Sequence, residues 1–533
     1  MAATCVGVRM MEAAVSGLLE HDLTEGELGE TIRALREHGA VRGEASSAAV
    51  SGLLSCCNSH LLSAATRTEG LSLLSLVVEE SCTDVFQQHC VSWIRSVLQV
   101  IQSGTDVDEE EMKRCALQSP DPPRVVSMAV FVLRSLLAHS SALPELSREI
   151  STNHIPGLLT SLLGLRRQCL MPALEGIRSC LISYPRACGS LRGKLTAFFL
   201  SLLDEENVAI QEAADMLESG DSSDRGVPDL ACQCFCLLPT LGSGFSQGVK
   251  HTENWERQMQ SVLCSLHAVF QQLYQAAETD TTRYEGPGTE LELPVLDDDG
   301  ASSILQLVRR FTALAQCVRL LLRGQFPAPV RVPVSDILNL VCRVVNVSAK
   351  NLSWQGEEAL KLLLLPGVHK TALDILEAAI LACGPRLLPR SRPSSADYFH
   401  NSSAPGHLLR GPAAIFPLFP TLLCDALFQL TPGGAVYRVL ERWVTVCGVS
   451  AGVLQGMAHH SDILLAHLLS DITPPADSLK MSSFVQLGAK KQKVSEIGTA
   501  NFKVTGNEKA AQIRSCVRRH YGPSAPLSCM EDP

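Results

Sequence analysis

Two pentapeptides, Gly244-Phe-Ser246-Gln-Gly248 and Gly448-Val-Ser450-Ala-Gly452, carry the Gly-x-Ser-x-Gly spacing that lifts a hydrolase serine onto a sharp turn for attack on a carbonyl. That chemistry needs a buried β-strand directly before the serine. Both pentapeptides follow helix-like text, so neither serine reads as a nucleophile. Cys232, Cys234 and Cys236 suggest a metal cluster, but a spacing of two scatters thiolates around a helix axis, and no second Cys or His pair follows at ligand spacing. They read as buried structural thiols. His459, His460 and His467 lack the His-Glu-x-x-His arrangement of a zinc hydrolase, and no glycine-rich loop followed by Lys-Ser or Lys-Thr is present to cradle a phosphate. The sequence therefore predicts a chain that is not an enzyme, with no catalytic residue, no metal site and no cofactor.

Four segments have a spacing suited to binding rather than reaction. Their leucines at i, i+3 and i+4 are Leu133, Leu136 and Leu137; Leu159, Leu162 and Leu163; Leu360, Leu363 and Leu364; and Leu465, Leu468 and Leu469. Each trio falls on one helix face and could lie in another protein's hydrophobic groove. The same spacing describes any helix packed inside a helical array, so a packing seam is the expected role of each. Leu465–Leu469, beside Pro474-Pro475, is expected to be the most exposed. Lys490, Lys491 and Lys493 form a cationic cluster that reads either as a nuclear import signal or as a solvated charge run.

Such segments must be carried by helices, and the composition favours them. The 533 residues are 46% apolar but only 5% aromatic, so leucine, alanine and valine must fill the interior, as they do in stacked helices with thin cores. Apolar residues recur at three- and four-residue intervals between Gly, Pro or Ser-Asp breaks. This predicts helices at Val85–Ile101, capped by Thr83 or Asp84, after Pro123, and over Ile155–Leu165, Leu170–Ile182, Leu191–Leu203, Val208–Leu217, Leu230–Leu238 and Trp255–Ala277. Further helices are expected at Ile304–Leu322, Val334–Val347, Leu360–Cys383, Val436–Val446 and Ile463–Leu469. With no strict period, the predicted fold class is an all-α array of the degenerate armadillo or HEAT type, an α-solenoid. Its expected organisation is a first part over 1–277, an acidic flexible loop over 278–300, a continued array over 301–384, an irregular proline-containing insert over 385–432, terminal helices over 433–470 and a disordered tail over 471–533.

The formal charge of −10, from 45 basic and 55 acidic residues, argues against a broad surface neutralising nucleic-acid phosphates. No direct nucleic-acid site is evident, and only local basic patches remain open. Twenty cysteines are far below disulfide-scaffold density. Those in apolar helical text, such as Cys180, Cys264, Cys317 and Cys342, read as buried thiols in a reducing compartment. Met1–Met11 lacks the apolar run of a signal peptide, and the longest uncharged stretch, Leu230–Val249, is broken by Pro239 and three glycines. The expected chain starts in the cytosol, does not enter a membrane, and leaves its sequons at Asn346, Asn351 and Asn401 unglycosylated.

Longer stretches carry a resemblance. Phe86-Gln-Gln-His-Cys-Val-Ser-Trp93, His154-Ile-Pro-Gly-Leu-Leu-Thr-Ser-Leu-Leu-Gly-Leu165, Pro185-Arg-Ala-Cys-Gly-Ser190, Gly244-Phe-Ser-Gln-Gly248 with Lys250-His-Thr-Glu-Asn-Trp255, and Leu468-Leu-Ser-Asp-Ile-Thr-Pro-Pro-Ala-Asp477 resemble the family of proline-, glutamic acid- and leucine-rich proteins. The resemblance covers most of residues 60–384 and 436–480. It implies an armadillo/HEAT-type array acting in the nucleus, nucleolus and nucleoplasm, with some cytoplasmic protein, as a scaffold for large ribosomal subunit maturation and rRNA processing. The partners it implies are a WD-repeat protein, a second helical-repeat protein, a SUMO-specific protease and the AAA ATPase of pre-ribosome remodelling. A nuclear receptor coregulator, binding steroid receptors through its leucine helices, is the alternative implied function. The proline-rich and glutamate-rich C-terminal parts of the family are missing from this sequence, which reads as a truncated form. The segment 385–432 does not resemble the family.

Overall fold

The computed structural model describes residues 17, 25–37, 47–104, 121–204, 226–243, 248–278, 284–296, 300–384 and 433–447. Among these residues the regular elements are α-helices linked by turns and short 3-10 segments, with no β-strand. This is the all-α, repeat-like array that the apolar spacing predicts. The chain divides into two compact units, one comprising Met1–Trp255 with Glu292–Pro294 and Phe326–Pro329, the other the remainder.

The first unit contains α1 (Glu25–Glu37), α2 (Ser47–Leu62), α3 (Arg67–Glu80), α4 (Thr83–Ser103), α5 (Pro123–Ser141), α6 (Pro144–Asn153), α7 (Ile155–Leu163), α8 (Leu170–Ser183), α9 (Arg192–Ser201) and α10 (Val227–Leu237). Proline in the first turn of α5, α6, α7 and α10 marks their starts, where its missing N–H leaves no helical bond unmade. Thr83 does open α4, but Cys82 takes the cap position and no side chain caps the helix. Helix α5 packs against α3, α4 and α8, and α8 packs in turn on α7 and α10. Glycine sets two of these approaches. A Cβ on Gly176 of α8 would meet Leu162 at 3.0 Å and Val130 at 3.1 Å, and one on Gly70 of α3 would meet the Leu61 backbone at 2.8 Å.

Helix α11 (Val249–Tyr274) begins in the first unit and continues in the second, starting six residues before the expected Trp255 because its first turn is polar. The second unit adds α12 (Gly300–Arg323), α13 (Val334–Asn346), α14 (Gly356–Cys383) and α15 (Gly433–Cys447). Helix α14 is the hub, packing on α12, α13 and α15. Its residues 372–380 are all buried, so that half is apolar on every side. The carboxylates inside this unit are answered in place: Asp374 by Lys370 and Arg438, Glu377 by Arg442.

The segment expected to be an acidic flexible loop has a described part, 284–296, that is non-helical yet held down. Tyr284 stacks on His267 of α11 with centroids 4.1 Å apart, and the Leu291 N–H donates to Ser265 Oγ at 2.8 Å. Gly288, at φ 116°, lies so near the Gln260 carbonyl that a Cβ would come within 2.6 Å. The acidic composition signalled solvent, and Glu285, Glu290 and Glu292 are indeed exposed. Composition alone did not reveal the backbone and ring contacts. The helices expected at Val208–Leu217 and Ile463–Leu469, the insert over 385–432 and the tail over 471–533 lie outside the described residues.

Candidate functional site

The leucine segments separate once their helices are placed. On α5, Leu133, Leu136 and Leu137 are all fully buried. On α7, Leu159 and Leu162 are fully buried, with Leu162 seated against Gly176, and Leu163 is half-buried. These five buried leucines form packing seams. A partner's groove could reach them only after local unfolding.

Helix α14 differs. Leu363 is 67% exposed and Leu360 and Leu364 are half-buried, while Leu362 and Leu365 turn inward. The outer stripe continues to exposed Gly367, and Trp354, just before the helix, is 72% exposed. Pro366 sits inside α14 and cannot donate to Leu362 O, yet the helix runs on. Tyr274 Oη donates to the neighbouring Lys361 O at 3.0 Å, pinning the backbone beside the proline. Leu465, Leu468, Leu469, Lys490, Lys491 and Lys493 lie outside the described residues.

Of the reactive candidates, the structure describes the cysteines and the text before the first serine pentapeptide. Ser246 and Ser450 lie outside the described residues, but the text before the first pentapeptide is helix α10 followed by the 3-10 turn Leu238–Thr240, where an elbow would need a strand. Cys234 is buried, its Sγ is 3.6 Å from Leu174 O, and burial pushes its thiol up to about 12. Cys232 is also buried and Cys236 is half-buried. Cys180 and Cys317 are buried as expected, whereas Cys264 and Cys342 are only half-buried, because they lie at the margins of their helices' apolar faces. Among the described residues no group of three or more His, Cys, Asp or Glu could hold a metal ion. Among them, too, no helix is long and apolar enough to cross a membrane.

The polar geometry that sequence reasoning missed is a buried cluster in the second unit. Arg343 of α13 grips Glu278 with two nitrogens, Nη2 to Oε2 at 2.8 Å, and also donates to His267 Nδ1 at 3.1 Å. His267 is 4% exposed, and burial followed by the Arg343 charge lowers its pKa to about 3. His369 of α14 sits with Nε2 3.1 Å from Val347 O, and burial lowers it to about 4. Arg343 stands 65 positions from Glu278 and 76 from His267, so no local spacing announced the grouping.

Two relatives match this chain over most of its length. Proline-, glutamic acid- and leucine-rich protein 1 of Xenopus laevis is 67% identical over 506 residues, covering 92% of this chain, and that of Mus musculus is 46% identical over 461 residues, covering 84%. The chain is a homologue of these proteins. It spans 45% of the frog relative's length and 36% of the mouse relative's. A family model described as RIX1, rRNA processing/ribosome biogenesis, matches residues 12–210, and one described as PELP1, middle domain, matches 431–488. In the first unit the match takes in α1 to α9 and two of the leucine segments. A chain in a solved structure of the Rix1–Rea1 pre-60S particle, Rix1-subcomplex, superposes with a TM-score of 0.52 at 13% identity, covering 98% of this chain and 96% of that one. At that identity the likeness establishes a shared helical architecture.

Proposed function

We propose that the chain is a non-catalytic scaffold in a complex that processes rRNA and matures the large ribosomal subunit. The observation that carries this reading is the match of residues 12–210, most of the first unit's helices, to a family described by rRNA processing and ribosome biogenesis. The shared architecture with a chain of a pre-60S particle supports it. So do the buried thiols and the helical text before Ser246, which leave the described array as surface rather than reaction centre. The partners in this reading are an AAA ATPase of pre-ribosome remodelling, a WD-repeat subunit, a second helical-repeat subunit and a SUMO-specific protease. The working place is the nucleolus and nucleoplasm, with a cytoplasmic fraction, and Lys490, Lys491 and Lys493 serve import. Affinity purification of the tagged chain from nuclear extract is expected to recover pre-60S proteins with the WD-repeat subunit. Recovery of neither would overturn the reading.

A second function, as a steroid receptor coregulator, is favoured by one observation: the outward face of Leu360, Leu363 and Leu364 beside Trp354. A leucine trio on an exposed stripe can enter a hydrophobic groove without unfolding its helix. Ligand-dependent receptor binding should be lost when these three become alanine, with circular dichroism unchanged. The same test applies to Leu465, Leu468 and Leu469. Binding that survives both triple substitutions would remove this reading.

A further inference from the structure

Phosphoryl transfer to a Ser or Thr hydroxyl is catalysed almost wholly by positioning, so the acceptor must enter the kinase cleft on a chain that lies open across it. A Ser or Thr inside a helix fails that demand unless the helix unwinds, because its hydroxyl and flanking backbone are already engaged. A cleft lined with basic side chains sets a second demand. It needs acidic residues just beyond the acceptor, held there by charge-assisted contacts.

Several described residues have an acidic residue three positions on and still fail the first demand. Thr66 precedes Glu69, but it is half-buried and donates to His60 O at 3.0 Å. Ser81 precedes Asp84, yet its Oγ is buried. Ser201 precedes Asp204 and Thr371 precedes Asp374, and both lie in helices, α9 and α14. Their hydroxyls donate to Phe198 O at 2.8 Å and Gly367 O at 2.9 Å, and Asp374 is already paired with Lys370 and Arg438.

Thr289 meets both demands. It stands exposed in the non-helical strap 284–296, and among the described residues none hydrogen-bonds its side chain. Glu290 and Glu292 follow it, both exposed, while Leu291 and Leu293 are half-buried, which is the alternation of an extended chain with one face down. The strap is fixed on either side of the hydroxyl. Gly288 lies against the Gln260 carbonyl, and the Leu291 N–H donates to Ser265 Oγ at 2.8 Å. Residues 284–296 contain three glutamates and no Lys or Arg, so nothing in the strap repels a basic cleft.

We propose that Thr289 is a phosphorylation site for an acid-directed serine/threonine kinase, one whose substrate cleft is basic. Thr289 Oγ1 attacks the γ-phosphorus of ATP, and the bond from that phosphorus to the bridging oxygen breaks. ADP leaves, and the hydroxyl proton passes to a carboxylate of the kinase. The phosphate adds about −1.5 to −2 of charge at pH 7 to a strap that already exposes three glutamates.

The test incubates the full chain with Mg·ATP and purified casein kinase 2, an acid-directed kinase, and locates phosphate by peptide mass spectrometry, with thermal melting alongside. In the folded chain Thr289 should be modified at least about tenfold faster than Ser201 or Thr371, which should gain phosphate only after the chain is cut into peptides. Glu290→Gln with Glu292→Gln should slow Thr289 at least about tenfold at an unchanged melting temperature, whereas Thr289→Ser should keep the site. The chain purified from its own cells, with phosphatase inhibitors present, should carry the same phosphate. Thr289 unmodified in either preparation would overturn the proposal. So would equal rates in the double glutamine variant, or modification of Ser201 or Thr371 in the folded chain as fast as Thr289.

Discussion

Helices α5 and α14 spell the same Leu-x-x-Leu-Leu and use it in opposite ways. On α5 the three leucines are interior, facing neighbours that flank the helix on several sides. On α14 the trio lies on the outer stripe, and the intervening Leu362 and Leu365 take the interior positions. The difference comes from neighbours rather than spelling, since a leucine-rich helix offers several apolar faces and packing selects among them. Both units bury some polar groups: beside α5 Asp121 pairs with Arg67 and Ser140 bonds Tyr184 at 2.7 Å, while the second unit buries His267, Arg310, His369, Asp374 and Glu377.

The largest effect should come from emptying the α5 seam. Replacing Leu133, Leu136 and Leu137 with alanine removes three fully buried side chains at ~2–5 kcal/mol each, comparable with a domain's whole stability. The first unit should lose its cooperative melting transition. Arg343→Met should come next. It strands Glu278, whose side chain is only 6% exposed, and should cost ~3–5 kcal/mol by denaturant titration of the second unit. Gly176→Val overfills the contact with Leu162 and Val130 and should cost ~1–3 kcal/mol, read as a lowered melting temperature.

Acidification should separate the two regions more gently. His267 and His369 are held at about 3 and about 4 in the fold, both mainly by burial, against an ordinary value of 6.5. Between those values the unfolded chain binds more protons than the folded one. The stability is therefore complete above about pH 6.5 and is lost as pH falls through the window. Hydrogen exchange around α14 should speed up between about pH 7 and about pH 5, beyond the intrinsic pH effect, and His369→Leu should blunt the change. The smallest effect belongs to Leu363→Ala, which should stay within about 0.5 kcal/mol by thermal melting.

Helix existence was legible because the apolar spacing is strong. The helix expected at Leu170–Ile182 runs from Leu170 to Ser183, and that at Val334–Val347 from Val334 to Asn346. Helix α6 went unnoticed because a run with only Leu146 and Ile150 buried barely registers against greasier neighbours. The faces of the leucine segments were not legible, since the i, i+3, i+4 pattern is identical in a seam and in an exposed stripe. Nor were the long-range groupings. Gly189 meeting Gly242 and Arg343 meeting Glu278 join residues that share no local pattern, and only the packing of turns and helices brings them together.

The most direct test of the division between seam and surface uses the unmodified chain. Hydroxyl-radical footprinting, read by peptide mass spectrometry, oxidises leucine side chains according to their exposure to water. Strong oxidation at Leu363 with protection of Leu133, Leu136, Leu137, Leu159 and Leu162 is the predicted result. Oxidation of the α5 and α7 leucines at the level of Leu363, or protection of Leu363 at theirs, would contradict it.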